Sequence, residues 1–254
     1  MAQHASQTKK PHRVLKAILL IIAILAVVLA VLVGLVKARV INPNEPFLRN
    51  GIQGVDISEY QVDVDMDTLK SQGIEFIFIK ATEGSSHVDS RFAENWANAQ
   101  ASGLPAGAYH FFSFDSPGAT QAANFIATVP AYDGMLIPVV DVEWYADKKS
   151  NQPAKEDVIR ELSAFMDAIE AAYGVQPMIY TGSDLWKDFL KDSFGEHRLW
   201  ASSLYSPYWL SWGNEWSVLQ YSGRGELEGY KSFEGFIDLD VLASNVSLDD
   251  LRVK

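Results

Sequence analysis

The chain has 254 residues, no cysteine and a formal net charge of −11 at pH 7. Its length suits one large domain, and 48% hydrophobic with 21% charged residues excludes a mainly disordered or fibrous protein. Without cysteine, a disulfide scaffold, a cysteine nucleophile and an iron–sulfur cluster are excluded. Residues 1–39 hold six of the 21 Lys and Arg and no acid, which leaves 15 basic side chains against 32 acidic ones. The excess of negative charge after residue 39 disfavours nucleic-acid binding, because it repels the phosphate backbone.

The N-terminal region contains an apolar segment over residues 17–36, twenty residues without a charged side chain. A helix of this length spans roughly 30 Å, the thickness of a bilayer hydrocarbon core. We predict a transmembrane anchor there, after a basic cytoplasmic tail over 1–16. A cleaved signal peptide is the alternative, although its apolar region is normally only about 7–15 residues.

The flanking charges predict the orientation of this anchor. Four basic residues precede the span and two follow it, so the N-terminus is expected inside the cytoplasmic membrane and the remainder outside it. Residues 37–53, which include Pro43 and Pro46, are predicted to be a short extended linker. Residues 54–254 are predicted to be one domain.

Short apolar strands alternate with amphipathic helices after the linker. The predicted strands are 54–57, 76–80, 106–111, 136–140, 178–180, 199–201, 217–221 and 236–239. The predicted helices are near 65–72, 92–102, 117–128, 156–173 and 184–190. Repeated strand–helix units with apolar strands indicate a parallel sheet covered by helices. Eight strands, the last three without long helices between them, predict an α/β protein with an irregular TIM-like (β/α)5(β)3 barrel.

Four acidic residues fall at the predicted mouth of this barrel. Barrel enzymes place their chemistry at the C-terminal ends of the strands, where Asp56, Asp141, Glu143 and Asp238 occur. Asp141 and Glu143 are two residues apart on an extended strand, so they share a face with Cα atoms about 6.5–7 Å apart. Crowded carboxylates cannot all ionise easily, so one is expected to hold a proton near neutral pH. Such a set suits glycosidic cleavage, which needs an acid and an anion.

Each acid also has a structural interpretation, because a carboxylate at a strand end can cap a helix or pair with Lys. Asp141 and Glu143 directly follow an apolar Pro-Val-Val run, where burial of charge needs a reason, so we favour a catalytic pair there. Asp240 lies on the same strand face as Asp238 but could cap the following turn.

Aromatic residues at or beyond the strand ends indicate a sugar ligand, because rings offer apolar faces to pyranoses while Tyr and Trp tips bond hydroxyls. The candidates are Tyr109, Phe111, Trp144, Tyr180, Trp200, Tyr205, Trp209, Trp212 and Tyr221. His110 is the histidine at a strand end, where it could hydrogen-bond within the barrel mouth or face the substrate. The five histidines lack metal-ligand spacing, and no nucleotide-binding or serine-hydrolase motif occurs, so neither a metal nor a cofactor is expected.

Nine segments in chain order resemble the glycoside hydrolase family 25 lysozymes, muramidases that cut peptidoglycan. They are GVDIS (54–58), FIFIKATEG (76–84), DSRF (89–92), GAYHFF (107–112), PVVDVEW (138–144), MIYTG (178–182), LWAS (199–202), LQYS (219–222) and IDLDVL (237–242). The resemblance covers about residues 52–245. It implies an irregular β/α barrel of five strand–helix units followed by three strands. It also implies cleavage of the β-1,4 bond from N-acetylmuramic acid to N-acetylglucosamine in peptidoglycan glycan strands.

The resemblance further implies roles for single residues. Glu143 matches the general acid/base, and Asp141 matches the partner carboxylate, either a nucleophile or the group that steadies the substrate N-acetyl. Asp56 and Asp238 match supporting acids of the site. Asp240 departs from the family, where Asn or another small polar residue is expected. The positions that match the groove lining are Tyr109, Tyr180, Trp200 and Gln220.

Three functions are compatible with these residues. The first is an active membrane-anchored muramidase that acts with net retention of configuration. The second is a catalytically weak barrel kept as a peptidoglycan-binding module, which the complete set of acids disfavours. The third is a hydrolase of a related N-acetylated polysaccharide such as chitin, which the sequence does not separate from the first.

Overall fold

The structure, a computed structural model, describes residues 11–38 and 40–254. The predicted tail thus lies outside the described residues as far as residue 10. The chain divides into two compact units, one ending at Pro43 and the other running from Asn44 to Lys254.

The first unit contains one long helix, α1 (Pro11–Lys37). Its Arg13–Lys37 part is 25 residues long and has a mean hydropathy of 3.5 over its most apolar 18 residues. By length and composition α1 could cross a membrane, and it is the one such helix in the described part of the chain. The predicted span 17–36 lies inside α1. The helix begins earlier than that span, so the last residues of the predicted tail are helical.

The second unit contains strands and helices that alternate along most of its length. The strands are β1 (Gln53–Ile57), β2 (Gln61–Val62), β3 (Ile74–Glu83), β4 (His87–Val88), β5 (Ala106–Phe111), β6 (Val139–Val142), β7 (Met178–Gly182), β8 (Leu199–Ser202), β9 (Val218–Gly225), β10 (Lys231–Ser232) and β11 (Ile237–Leu242). The helices are α2 (Glu45–Leu48), α3 (Met66–Ser71), α4 (Phe92–Ser102), α5 (Gly118–Thr128), α6 (Lys155–Tyr173), α7 (Ser183–Leu185), α8 (Lys191–Phe194) and α9 (Tyr208–Ser211). A π-helical turn, Trp186–Leu190, joins α7 to α8, and a 3-10 turn covers Leu248–Leu251.

Eight of these strands close into a barrel in the order β1–β3–β5–β6–β7–β8–β9–β11, and β11 returns to β1. Neighbouring strands are parallel except at β11, which runs antiparallel to both β9 and β1. The predicted irregular α/β barrel is therefore confirmed. Because β11 is reversed, its N-terminal end lies where the other strands have their C-terminal ends. Asp238 near the start of β11 is consequently paired with Asp56 near the end of β1.

The barrel interior is filled by side chains that alternate along the strands with outward-facing ones. Two glycines make room for aromatic rings. A Cβ at Gly54 would lie 2.3 Å from the Phe76 ring, and one at Gly107 would lie 2.4 Å from the Phe78 ring. The Phe78 ring also stacks on Trp200 with ring centroids 4.7 Å apart. This apolar floor lies beneath the polar mouth of the barrel.

The helices cover the outer face of the barrel through their apolar stripes. Val158, Leu162, Phe165 and Ile169 of α6 are buried, as their spacing of three and four residues predicts. The helix ends at Gly174, whose φ of 70° is the left-handed conformation that glycine adopts without strain.

The segment before the barrel differs from the predicted extended linker. Helix α2 lies within it, and the Asn44 side chain is fully buried. Asn44 Nδ2 donates to the carbonyl oxygens of Ser203 at 2.7 Å and Ser206 at 3.1 Å, while its Oδ1 accepts from the backbone N–H of Tyr208 at 2.9 Å. These three bonds fix residue 44 to the loop after β8, so the part of the predicted linker from 44 onwards belongs to the barrel unit.

Candidate active site

A cavity of about 290 Å³ opens at the C-terminal ends of the parallel strands. It brings together the four acids that the sequence places at the mouth, Asp56, Asp141, Glu143 and Asp238. Its lining residues are Asp56, Ser58, Tyr60, Lys80, Tyr109, Phe111, Asp141, Glu143, Tyr180, Trp200, Leu204, Gln220 and Asp238.

Strand β6 positions the central pair of acids. Val140 and Val142 are fully buried in the layer between barrel and helices. Since side chains alternate along a strand, Asp141 and Glu143 point to the opposite side and reach the cavity. Asp141 lies inside β6, opposite Phe111 of β5 and Tyr180 of β7, although the predicted strand ends at residue 140.

Asp141 is a buried carboxyl with an unfilled acceptor. Its side chain is 7% exposed, and its Oδ1 has no hydrogen-bond partner among the described residues. Burial, and then the charge of Glu143, raise the pKa of Asp141 well above its usual range, while the charge of Lys80 acts in the opposite direction. Asp141 therefore lines the cavity as a buried carboxyl whose uncharged form is favoured relative to an exposed aspartate.

Glu143 titrates near neutral pH. Burial, and then the charge of Asp238, raise its pKa to about 7. At neutral pH the carboxyl is therefore protonated in a substantial fraction of molecules. A carboxyl with this pKa can give a proton in one step and take one back in the next.

Asp56 is held by a chain of side-chain hydrogen bonds. The Tyr180 hydroxyl donates to Gln220 Oε1 at 2.7 Å, and Gln220 Nε2 donates to Asp56 Oδ2 at 2.7 Å. Burial, and then the charges of Asp238 and Asp240, raise the pKa of Asp56 well above its usual range, whereas the bond from Gln220 lowers it. The chain thus orients Asp56 and favours its charged form.

The sequence suggests that Asp240 could cap the turn after β11, and the structure gives it a different place. Its side chain points into the barrel, where Oδ1 accepts a hydrogen bond from Trp200 Nε1 at 2.8 Å. The side chain is 0% exposed. Asp240 is therefore an interior residue beneath the cavity.

Most of the predicted sugar-binding residues surround the acids. Tyr109, Tyr180, Trp200 and Gln220 line the cavity itself. Trp144 lines an adjoining cavity of about 540 Å³, which has Glu143 in common with the first. The two cavities together form a groove that passes Glu143.

His110 lies outside this groove, and the structure does not support its prediction as a substrate-binding residue. Its neighbour Tyr109 faces the interior, so His110 faces the helix layer. There its Nδ1 bonds Thr82 Oγ1 at 2.7 Å, its Nε2 bonds Gln121 Oε1 at 3.0 Å, and its ring stacks on Phe165. Burial lowers the pKa of His110 to about 4, so the ring is neutral at physiological pH.

Tyr221 is the second residue whose predicted contact with the substrate the structure does not support. It follows the inward-facing Gln220 on β9 and therefore packs in the outer core, 4% exposed. Its hydroxyl donates to Gln53 Oε1 at 2.8 Å. Tyr221 supports β1 from outside the barrel and does not line the cavity.

The sequence predictions missed several lining residues, of which Lys80 carries a charge. Lys80 Nζ lies 2.7 Å from Glu83 Oε2 and 5.1 Å from the centre of the Phe111 ring. Lys80 follows the apolar run Phe76–Ile79. This position could have identified it as a lining residue, because inward-facing residues at the C-terminal end of a strand reach the mouth of the barrel. The other missed residues are Ser58, Tyr60 and Leu204, whereas Phe111 was among the predicted aromatic candidates.

The mouth of this eight-stranded barrel holds four carboxyls, and one of them has a pKa of about 7. These groups supply the acid and the partner carboxylate that a glycosidase needs. The model of glycosyl hydrolases family 25 matches residues 55–230, and the chain belongs to this family.

Known proteins of the family resemble this chain over most of its length. A family 25 glycosyl hydrolase from Bacillus anthracis has a TM-score of 0.74 and 41% identity, covering 81% of this chain and 95% of its own. The N,O-diacetylmuramidase of Arthroderma benhamiae is 31% identical over 69% of this chain and 81% of its own length. Lysozyme M1 of Streptomyces globisporus is 28% identical over 75% of this chain and 67% of its own length.

Proposed function

We propose that this glycosidase is a muramidase that cleaves the β-1,4 bond between N-acetylmuramic acid and N-acetylglucosamine in peptidoglycan. The observation that carries the proposal is the meeting of Glu143 with Asp56, Asp141 and Asp238 in one cavity of a family 25 barrel. The names of the relatives, a lysozyme and an N,O-diacetylmuramidase, support the substrate. The acidic groove also suits an uncharged sugar bond better than a phosphate ester.

In this proposal Glu143 acts as the acid/base. Its carboxylic proton passes to the glycosidic oxygen while the bond from that oxygen to the sugar C1 breaks. The anion of Glu143 then takes a proton from the incoming water, whose oxygen bonds to C1. The pKa of about 7 suits both steps, because neither protonation state is strongly disfavoured at neutral pH.

Asp141 is the proposed partner carboxylate. Asp141 lines the cavity, so its carboxylate can accept the N–H of the substrate 2-acetamido group and turn the acetamido carbonyl oxygen toward C1. Attack by that oxygen gives a cyclic cation that the carboxylate stabilises, and water reopens the ring. Direct attack by Asp141 on C1 is the alternative. Both routes invert C1 twice, so we expect net retention.

Proton NMR of the first-formed product tests the stereochemistry. An initial β-anomer is expected. An initial α-anomer would show inversion and a separate base that activates water, for which Asp56 or Asp238 is the next candidate. Chelators should leave the rate unchanged, because neither route uses a metal.

Digestion of two polymers tests the substrate. The full-length chain in detergent is incubated with purified peptidoglycan and with chitin, and product ends are analysed by mass spectrometry. We expect reducing ends of N-acetylmuramic acid from peptidoglycan. Release from chitin alone would identify a hydrolase of a related polysaccharide, and binding without turnover would identify a peptidoglycan-binding module.

We also propose that α1 holds the protein in the cytoplasmic membrane, with the N-terminus inside and the barrel outside. The apolar helix supports this, and the excess of basic residues before it supports the orientation. A reporter that functions only outside the cytoplasm, fused after Lys254, should be active. Membrane fractions should contain the intact N-terminus, whereas a soluble protein starting near Lys37 would identify α1 as a signal peptide.

A further inference from the structure

An exposed apolar patch lies on the barrel unit close to its first residue, Asn44. The patch consists of Phe47 on α2 and of Trp209 and Leu210 on α9, which are 66%, 44% and 72% exposed. None of the three lines either cavity of the groove, so the proposed chemistry gives them no role. An exposed cluster of large apolar side chains marks a surface that another body covers.

The patch is held in place by ring packing and hydrogen bonds. The Trp209 ring makes edge contacts with Phe47, with ring centroids 5.0 Å apart, and with Tyr208, with ring centroids 5.3 Å apart. The Asn44 side chain accepts the backbone N–H of Tyr208 at 2.9 Å and donates to the carbonyl oxygen of Ser206 at 3.1 Å. Helices α2 and α9 are thereby tied together at their N-terminal ends. The patch is therefore a preformed surface.

The patch lies in an uncharged part of a strongly acidic chain. Residues 199–214 contain no Asp, Glu, Lys or Arg, although 15 basic and 32 acidic side chains follow residue 39. Glu45 and Arg49, on either side of Phe47, form an ion pair and so add no net charge. Anionic lipid headgroups repel the acidic remainder, whereas aromatic side chains are favoured at the boundary between lipid and water. This face can thus approach a bilayer at the lowest electrostatic cost.

The connection to α1 brings the patch near the bilayer in the proposed topology. Residues 38–43 lie between the end of α1 and Asn44, and six extended residues reach about 20 Å at most. The backbone N–H groups of Ala38 and Val40 donate at 2.9 Å to carbonyl oxygens in the last turn of α1, which shortens this reach. Phe47 follows Asn44 by three residues, so the patch lies beside the point at which the barrel is tethered.

We propose that Phe47, Trp209 and Leu210 dock on the lipid surface of the membrane that holds α1. The inference rests on the proposed membrane anchor and adds a second contact to it, made by the barrel itself. The loop that leads from β8 into α9 also lines the groove, through Tyr205 and Ser206. Docking through α9 therefore holds that part of the groove beside the bilayer.

Single-cysteine labelling tests the contact, since the chain has no cysteine of its own. Leu210→Cys and Val88→Cys are each labelled with a nitrobenzoxadiazole fluorophore, and each full-length chain is reconstituted into phosphatidylcholine vesicles that contain a spin-labelled quencher lipid. Val88 is the control, because it is exposed and its strand β4 pairs with β3, four strands away from β8 around the barrel. We expect blue-shifted emission and lipid quenching of the label at 210, and neither at 88.

A double variant separates docking from tethering alone. Phe47→Ser with Trp209→Ser removes two rings of the patch and leaves the connection to α1 and the label at 210 in place. We expect the blue shift and the quenching at 210 to be lost. Phe233→Ser, at another exposed phenylalanine, is the matched control and should keep both. Near-UV circular dichroism checks that the double variant is folded. Quenching that persists in the folded double variant would overturn the proposal, because the short connection would then account for it.

Flotation of the vesicles separates failure of the anchor from failure of the docking surface. A chain that floats, but whose label is quenched no more at 210 than at 88, would overturn the docking and leave the anchor intact. A chain that does not float would overturn both. Two other occupants would also overturn the proposal. A label at 210 that responds only to added peptidoglycan would assign the patch to glycan binding, and one that responds only to the number of chains per vesicle would assign it to a second copy of the chain.

Discussion

Gln220 on β9 donates a 2.7 Å hydrogen bond to Asp56 on β1, across the intervening strand β11. The direction of this bond is fixed, because the amide oxygen of Gln220 already accepts the Tyr180 hydroxyl at 2.7 Å. The amide nitrogen must therefore face the carboxylate. One neutral side chain thus sets the orientation of an acid that precedes it by 164 residues.

The first prediction concerns this bond. Gln220→Met keeps the length of the side chain and removes the donor, so the charged form of Asp56 loses support. We expect kcat/KM on peptidoglycan to fall about tenfold or more, as for other hydrogen bonds to charged groups. Gln100→Met, at an exposed position on α4 that does not line the cavity, is the matched control and should keep wild-type activity. Wild-type activity in Gln220→Met would show that Asp56 does not depend on the bond.

The second prediction concerns the proposed acid. Glu143→Gln keeps the shape of the side chain but cannot protonate the leaving oxygen. General acid catalysis contributes about 10²–10⁴-fold, so kcat should fall by that amount while glycan binding persists. Glu170→Gln on the exposed side of α6 controls for the loss of one charge. If Glu143→Gln stays within about threefold of wild type, far below that range, Glu143 is not the acid.

The third prediction concerns the pH dependence of activity. The acid must be protonated, so kcat/KM should decline as pH rises through about 7, the pKa of Glu143. The charge of Asp238 raises that pKa, so Asp238→Asn should move the alkaline decline to lower pH. Profiles of kcat/KM for both proteins test this shift. An unchanged or higher midpoint in the variant would exclude the proposed influence of Asp238.

The fourth prediction concerns stability. The pKa of Glu143 rises from its ordinary 4.5 in the unfolded chain to about 7 in the folded protein, so between these values the folded state binds more protons. The free energy of unfolding should therefore decrease as pH rises across that window. Glu143→Gln removes this contribution, so its Tm should fall less than that of the wild type. Thermal unfolding followed by near-UV circular dichroism at several pH values provides the measurement. Parallel curves would contradict the expectation.

The fifth prediction concerns the packing of α5 against α6. A Cβ at Gly118 would lie 1.8 Å from the backbone carbonyl oxygen of Glu161, so the two helices approach too closely there for any side chain. Gly118→Ala must push them apart, and we expect a loss of about 1–3 kcal/mol, typical of overpacking. Chemical denaturation measures the change. An unaltered free energy of unfolding would mean that the helices separate without cost.

Elements with a clear hydrophobic periodicity and with residues that mark their ends could be predicted from the sequence. The bounds of a strand that depend on hydrogen bonding to neighbouring strands could not. Helix α4 and strand β5 have the predicted bounds, 92–102 and 106–111. Strand β6 lies further along the chain than the predicted 136–140, because a uniformly apolar run does not show which residues find parallel partners. Those partners, on β5 and β7, come from distant parts of the sequence.

The candidate site shows a similar division. Alternation along a strand already separates Tyr109 from His110 and Gln220 from Tyr221, since adjacent residues cannot both face the interior. The structure shows which of each pair does so. The burial of Asp240 against Trp200 depends on contacts between strands that are distant in the sequence. It could not be predicted from the spacing of residues.

The anchorage of Asn44 has a consequence for where the enzyme can work. Its side chain is fastened to the loop after β8, so only residues 38–43 lie between the end of α1 and the barrel unit. Six extended residues reach about 20 Å at most. In the topology that we propose, a connection this short would limit the glycan strands that the enzyme could reach to those near the membrane.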